Sequence, residues 1–226
     1  MARIDEIRGA YRLCGERASF YDGMMTYGTL PGKAICRIVW NMDAKKNLDY
    51  LTRALSGVPE DFAGRLLEVP VGTGVLTMPV YGDLPEADIC CVDYSAEMIQ
   101  AARQRADGLD IRNVSFHEAD VGKLPFDDES FDIVLSLNGF HAFPDKDKAY
   151  GETFRVLKPG GTFCGCFYLK GGCRRTDWFV RNLYVRLGFF TEPFETKESL
   201  QARLATMYST ASVTAVEGIG CFTCTK

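Results

Sequence analysis

Apolar positions recur along this chain in two different registers. Before residue 60 they fall at helical spacing. One amphipathic segment covers residues 4–20, and a second covers residues 33–56, with Ile35, Ile38, Val39 and Met42 on one stripe and Asp43 placed to cap a continuation. Gly57 and Pro59 close this helical preface. Beyond it come apolar runs too short for helices: LLEVP at 66–70, ICCV at 89–92, VSF at 114–116, FDIVLSL at 131–137 and TFCGCFYL at 162–169. Helical patterns separate them at 74–81, 95–106, 147–157 and 174–187. Continuous apolar strands alternating with helices predict an α/β fold with a parallel, doubly wound sheet covered on both faces. The C-terminal end departs from this rhythm. The β-like runs 212–217 and 220–225 are separated only by Gly218 and Ile219, too little for a helical crossover, so they form an antiparallel hairpin.

Composition narrows the picture. With 226 residues, 46% hydrophobic and 25% charged, the chain fits one α/β domain better than two. The opening MARIDEIRGA lacks the apolar core of a signal peptide, and no apolar run is long enough to cross a bilayer, so a cytoplasmic location is expected. A net charge of −4 without a block of Lys or Arg leaves no footprint for nucleic acid or an anionic membrane, and favours a small-molecule partner. Nine cysteines is an odd number. Cys90, Cys91, Cys164 and Cys166 lie in predicted strands, where reduced thiols act as small hydrophobes. Cys221 and Cys224 have the spacing of half a zinc site, but no second pair or His follows and a strand would aim them at opposite faces, so no metal site is expected. The sequon at Asn113 carries little weight in a reduced, leaderless chain.

The first strand runs into Glu68-Val-Pro-Val-Gly72-Thr73-Gly74 and then a helix, which sets small residues and backbone N–H groups at the carboxyl edge of the sheet. Downstream, Asp93 ends the second strand, where a carboxylate can accept both hydroxyls of a ribose. This pair of features suits a nucleotide-type cleft and is shared with NAD-dependent enzymes.

The wider motif set distinguishes the two. Across residues 66–169 the chain resembles the class I S-adenosylmethionine-dependent methyltransferases, especially those of ubiquinone and menaquinone biosynthesis. The resemblance rests on LEVPVGTG, VDYSAEMIQAARQ, LPFDDESFDIVLS at 124–136 and VLKPGG at 156–161. The resemblance implies a Rossmann-like, seven-stranded, mostly parallel sheet with an antiparallel C-terminal strand, and S-adenosylmethionine as the methyl donor. It also implies one domain over 1–226, with 1–60 a helical cap, 61–226 the cofactor-binding core and 170–208 a lid or acceptor region. Carried over by position, it implies that Glu68, Gly72, Thr73 and Gly74 surround the methionine portion, and that Asp93 holds the ribose. By the same carry-over Tyr94 and Met98 flank the adenine, Asp120 accepts from its amino group beside Val121, and Leu137 and Asn138 pass beneath the sulfonium. Tyr21 matches a family Tyr-Asp pair that approaches the cofactor; a core aromatic at a helix end is its plainer role. Pro70 departs from the commonest motif, which has Gly there; proline removes an N–H and suits only a strand end that needs no partner.

Plainer roles stand beside several of these. Asp93 and Asp120 would also serve as caps of helices or turns, and Glu68 as a buried structural group. Pro79 falls inside a predicted helix, where it is costly unless the helix starts late. Methyl transfer from a sulfonium is an in-line displacement that positioning and exclusion of water can drive, so no triad is required. Of the two histidines, His117 sits in the third strand as a structural residue, and His141, in NGFHAFPD, is the candidate general base or substrate contact, with a structural loop histidine as its alternative. If 174–187 is one helix, Phe179, Leu183 and Leu187 form its core face, leaving Trp178 and Val185 among Arg174 and Arg181 as a lid or a homodimer contact. Lys170, Arg174, Arg175, Arg181 and Arg186 either favour an anionic acceptor or form a solvated face. The expected activity is methylation of a small molecule. A non-catalytic cofactor-binding protein and an NAD-dependent oxidoreductase are the alternatives.

Overall fold

The computed structural model describes residues 18–226, so the predicted helix over 4–20 lies outside the described residues except for its last three positions. Among the described residues three helices come first, α1 (Ala18–Met25), α2 (Leu30–Ile38) and α3 (Ala44–Leu55). The single stretch predicted over 33–56 is therefore two helices. Each has its own start signal: the Thr29 hydroxyl accepts from the Gly32 N–H, and the Asp43 carboxylate accepts from the Lys46 N–H at 2.9 Å. Between them Asn41 takes a left-handed φ of 55°, a region Asn visits more readily than most residues.

The strands are β1 (Arg65–Glu68), β2 (Asp88–Asp93), β3 (Val114–Glu118), β4 (Phe131–Leu137), β5 (Leu157–Tyr168), β6 (Thr210–Val216) and β7 (Ile219–Thr225). They form one seven-stranded sheet in the order β3-β2-β1-β4-β5-β7-β6. The first five are parallel, and β7 lies antiparallel between β5 and β6. The hairpin and the parallel, doubly wound sheet are thus as the patterning predicts. In β5 the register against β4 shifts after Leu157 and regular pairing resumes at Thr162, so the KPGG stretch is an irregular lead-in to the strand.

The central strands alternate their side chains between two apolar layers. Leu66, Cys91, Leu135 and Cys166 enter one layer with α3, α4 (Met78–Gly82) and α5 (Ala96–Gly108). Leu67, Cys90, Val134 and Phe163 enter the other with α6 (Lys146–Val156) and α8 (Lys197–Met207). Cys221 and Cys224 fall in opposite layers. α4 begins only at Met78, which places Pro79 in its first turn, where a missing N–H costs nothing. His117 lies in β3 with its ring edge-on to Phe126.

One prediction fails clearly. The stretch 174–187 is not one helix: α7 (Arg174–Phe179) passes into a π turn over Val180–Tyr184. The wider turn shifts the phase of everything after it. Thr176 and Val180 are buried, whereas Leu183 and Leu187, expected in the core, are 42% and 51% exposed. Val185, expected outside, packs against the cluster of Tyr168, Val180 and Phe190. Trp178 is exposed as its position implied.

Candidate active site

Strand order reverses at β1, whose neighbours are β2 and β4, so the crevice of the sheet opens beyond the carboxyl ends of β1 and β4. The chain leaves β1 through a cis Val69–Pro70 peptide and turns at Gly72 and Gly74, whose φ values are 57° and 68°. At Gly72 a Cβ would meet nothing within 4 Å, so the turn faces open space. Such a conformation over a vacant approach suits a glycine that lets a ligand reach backbone. Pro70 is accommodated from the other side: a Cβ on Gly139 would come within 2.3 Å of its Cδ. Gly139, next to Asn138, is thereby tied to the proline that breaks the usual motif.

Asp93 fastens this turn to β2. It is buried, and its two oxygens accept from the Gly72 N–H at 2.8 Å and the Ser95 N–H at 3.0 Å. Burial pushes its carboxyl up to about 6, against the pull of these N–H groups. Each oxygen keeps a further lone pair for a hydroxyl donor. Ser95 then caps α5 by accepting from the Met98 N–H, which carries Tyr94 and Met98 past the mouth of the crevice; Tyr94 is half-buried and Met98 buried.

Glu68 behaves differently from its expected place near a ligand. Its carboxylate lies fully inside the apolar layer, accepting from the Tyr81 hydroxyl at 2.8 Å and the Cys91 thiol at 3.7 Å. Burial raises it to about 8. On the far side of the crevice Asp120 is exposed and accepts from the Gly122 N–H, with Val121 buried behind it.

Thr73 shows a contact that the motif did not reveal. Its hydroxyl donates to Asp22 of α1 at 2.5 Å, and Asp22 also pairs with Arg105 of α5, whose Nε donates to the Thr73 carbonyl. Asp22 thus ties α1 to the glycine turn. The only sequence signal for it is the Tyr21-Asp22 pair itself.

β4 ends at the buried Leu137, and Asn138 follows with a φ of 57°. Asn138 and His141 face a cavity of about 460 Å³. Tyr21 and Met24 of α1, Trp40, and Tyr184 and Phe190 from the segment after β5 supply much of its aromatic and thioether wall, and among the described residues its lining holds no charged side chain. The three aromatic residues Trp40, Tyr184 and Phe190 were not singled out by motif, because no repeat or spacing links them. His141 is buried, stacked on Phe190 with ring centroids 4.0 Å apart, and its Nδ1 accepts from the Tyr168 N–H at 3.3 Å. Burial, with Lys146 nearby, pushes its pKa down to about 3.

A sheet of this order, with a glycine turn after β1 and an acid after β2, has the Rossmann-like fold found among methyltransferases. Residues 61–169, just under half of the chain, match the family described as methyltransferase domain, in line with the resemblance read from its motifs. It is 38% identical over 117 residues to the demethylmenaquinone methyltransferase of Thermus thermophilus, covering 51% of this chain and 52% of that protein. It is 39% identical over 100 residues to a ubiquinone/menaquinone biosynthesis C-methyltransferase of Brucella abortus, covering 43% of this chain and 37% of that one. The matches therefore span about half the length of these curated relatives or less. Among solved structures it is similar to the YcgJ protein of Bacillus subtilis, at 25% identity and a TM-score of 0.60 over 76% of this chain and 71% of the other. It also shares its fold with a methyltransferase of Thermotoga maritima, at 18% identity and a TM-score of 0.64 over 96% and 99% of the two chains. Among the described residues no helix is long and apolar enough to cross a membrane.

Proposed function

We propose that this chain transfers a methyl group from S-adenosylmethionine to a small, uncharged acceptor. The observation that carries the reading is the left-handed Gly72 over open space, held by buried Asp93, at a crevice whose β4 side leads through Asn138 into an uncharged aromatic cavity. S-adenosylmethionine would supply a sulfonium-activated methyl group. In this reading Asp93 takes the ribose hydroxyls on its free lone pairs, and Tyr94, Met98, Asp120 and Val121 bound the adenine site. Gly72, Thr73 and Gly74 let the methionine portion approach backbone. Glu68 supports the turn from beneath through Tyr81, since its carboxylate is buried.

The residues of the cavity orient the acceptor and exclude water, with α1 to α3 and residues 170–208 as its roof. His141 is a substrate contact in this scheme and not the base. Its Nδ1 accepts from backbone, which leaves Nε2 as the protonated nitrogen, and a group held near 3 takes up protons poorly at neutral pH. An acceptor atom that is nucleophilic without deprotonation in the site fits these properties.

Calorimetric titration with S-adenosylmethionine tests the proposal, with NAD as the competing cofactor and Asp93→Asn as the variant. Asparagine keeps the volume but turns one acceptor into a donor facing an N–H. Binding of S-adenosylmethionine that weakens about tenfold or more in the variant supports the reading; no binding, or a preference for NAD, overturns it.

A further inference from the structure

A second cavity, of about 480 Å³, opens on the outer side of the segment after β5. Tyr168, Val180 and Phe194 form its floor, and the same aromatic cluster turns Phe190 and Tyr184 toward the first cavity. Around its rim stand Lys170, Arg174 and Arg181, with Trp178 as a wall.

These three cations differ from Arg175 and Arg203. Arg175 donates to the Arg37 carbonyl and the Asn41 side chain, and Arg203 pairs with Glu195 and Asp147. Among the described residues, the side chains of Lys170, Arg174 and Arg181 have no hydrogen-bond or ion-pair partner. Two acids share the cavity. Asp177 is occupied by the Tyr168 hydroxyl at 2.7 Å and the Gly171 N–H, which leaves Glu192, among the described residues of the lining, as the one acid to set against these three cations. Trp178 adds a second, independent feature: it is 60% exposed although its indole face is among the largest apolar surfaces a side chain offers. The volume is within the range of small-molecule sites and larger than a bare inorganic ion requires.

We propose that this cavity is a second binding site, distinct from the acceptor cavity, for a small organic oxyanion carried on a planar ring. The guanidinium forks of Arg174 and Arg181 match a phosphate or carboxylate, Lys170 adds a point charge, and the ring covers Trp178. The site does not depend on the methyltransferase reading, since neither its residues nor its ligand enter that chemistry.

The test is calorimetric titration of the full chain with 1-naphthyl phosphate, and in parallel with 1-naphthoate, inorganic phosphate and neutral 1-naphthol. The variants are Arg174→Gln with Arg181→Gln, and separately Lys170→Gln; all three residues are exposed, so the fold is retained. One of the two ring-bearing anions should bind more tightly than either the bare phosphate or the neutral ring, and which one does so assigns the oxyanion. Its affinity should fall about tenfold in the double variant and less in Lys170→Gln, and should weaken as salt is raised. Absence of binding, equal binding of 1-naphthol, or an affinity unchanged in the double variant overturns the proposal.

Discussion

The turn after β1 is built from backbone, whereas the segment after β5 is built from side chains. In the first, two left-handed glycines and a strand-end carboxylate fix the geometry through N–H groups, and few substitutions could preserve it. In the second, a short helix, a π turn and a cluster of Trp40, Tyr168, Tyr184, Phe190 and Phe194 fix the geometry through ring contacts. Backbone constraints write themselves into residue type at a fixed spacing, and aromatic packing does not. A fold can therefore keep the crevice at its sheet edge while the aromatic wall beside it is rebuilt, which agrees with a family match confined to residues 61–169.

Several substitutions probe how differently the two regions respond. The largest effect is expected in the shared core: Phe140 is fully buried against Tyr150, Phe163 and Phe167, and Phe140→Ala should lower stability by about 3–5 kcal/mol in urea denaturation. Next comes a pH effect on the backbone-built side. The carboxyl of Glu68 rises from 4.5 to about 8 on folding, so the native state binds its proton more tightly than the unfolded chain. Its contribution is complete below the unfolded value and is lost as pH climbs from about 4.5 through 8, at a slope approaching about 1.4 kcal/mol per pH unit. Asp93, shifted from 3.8 to about 6, acts with the same sign over its lower window. Glu68→Gln should flatten the upper window, as read from melting temperature against pH; an unchanged slope would show that the carboxyl ionises at its ordinary value.

A smaller loss, about 1–2 kcal/mol, is expected for Asp22→Asn, which weakens the tie from α1 to Thr73 and Arg105. The smallest belongs to the side-chain-built segment. Leu187→Ser should change stability by no more than about 0.5 kcal/mol, because Leu187 is exposed, whereas a helix running through 174–187 would have made it a core residue costing several times that amount.

These contrasts also explain what the sequence disclosed. The five parallel strands, the C-terminal hairpin, the start signal at Asp43 and a glycine turn after β1 with an acid at the end of β2 were legible, because each follows from a period, a cap or a turn that local chemistry enforces. Leu183, Leu187 and Val185 were misplaced because one wide turn at Val180–Tyr184 shifts the helical phase without any Pro or Gly to announce it. Glu68 carried the right residue type for a ligand contact, but its orientation depends on Tyr81 and Cys91, which come from two other elements. The link from Asp22 to Arg105 joins residues far apart in the chain, and nothing local marks either as the other's partner.

The two-layered core has a chemical consequence at the thiols. Seven of the eight described cysteines are buried within it, and burial pushes Cys164, Cys221 and Cys224 up to about 12, far from the thiolate form that alkylating reagents require. Cys173 alone among them is partly open to solvent, and it immediately precedes α7. A maleimide dye added to the native protein should therefore choose that position ahead of the other seven, placing a reporter at the start of α7.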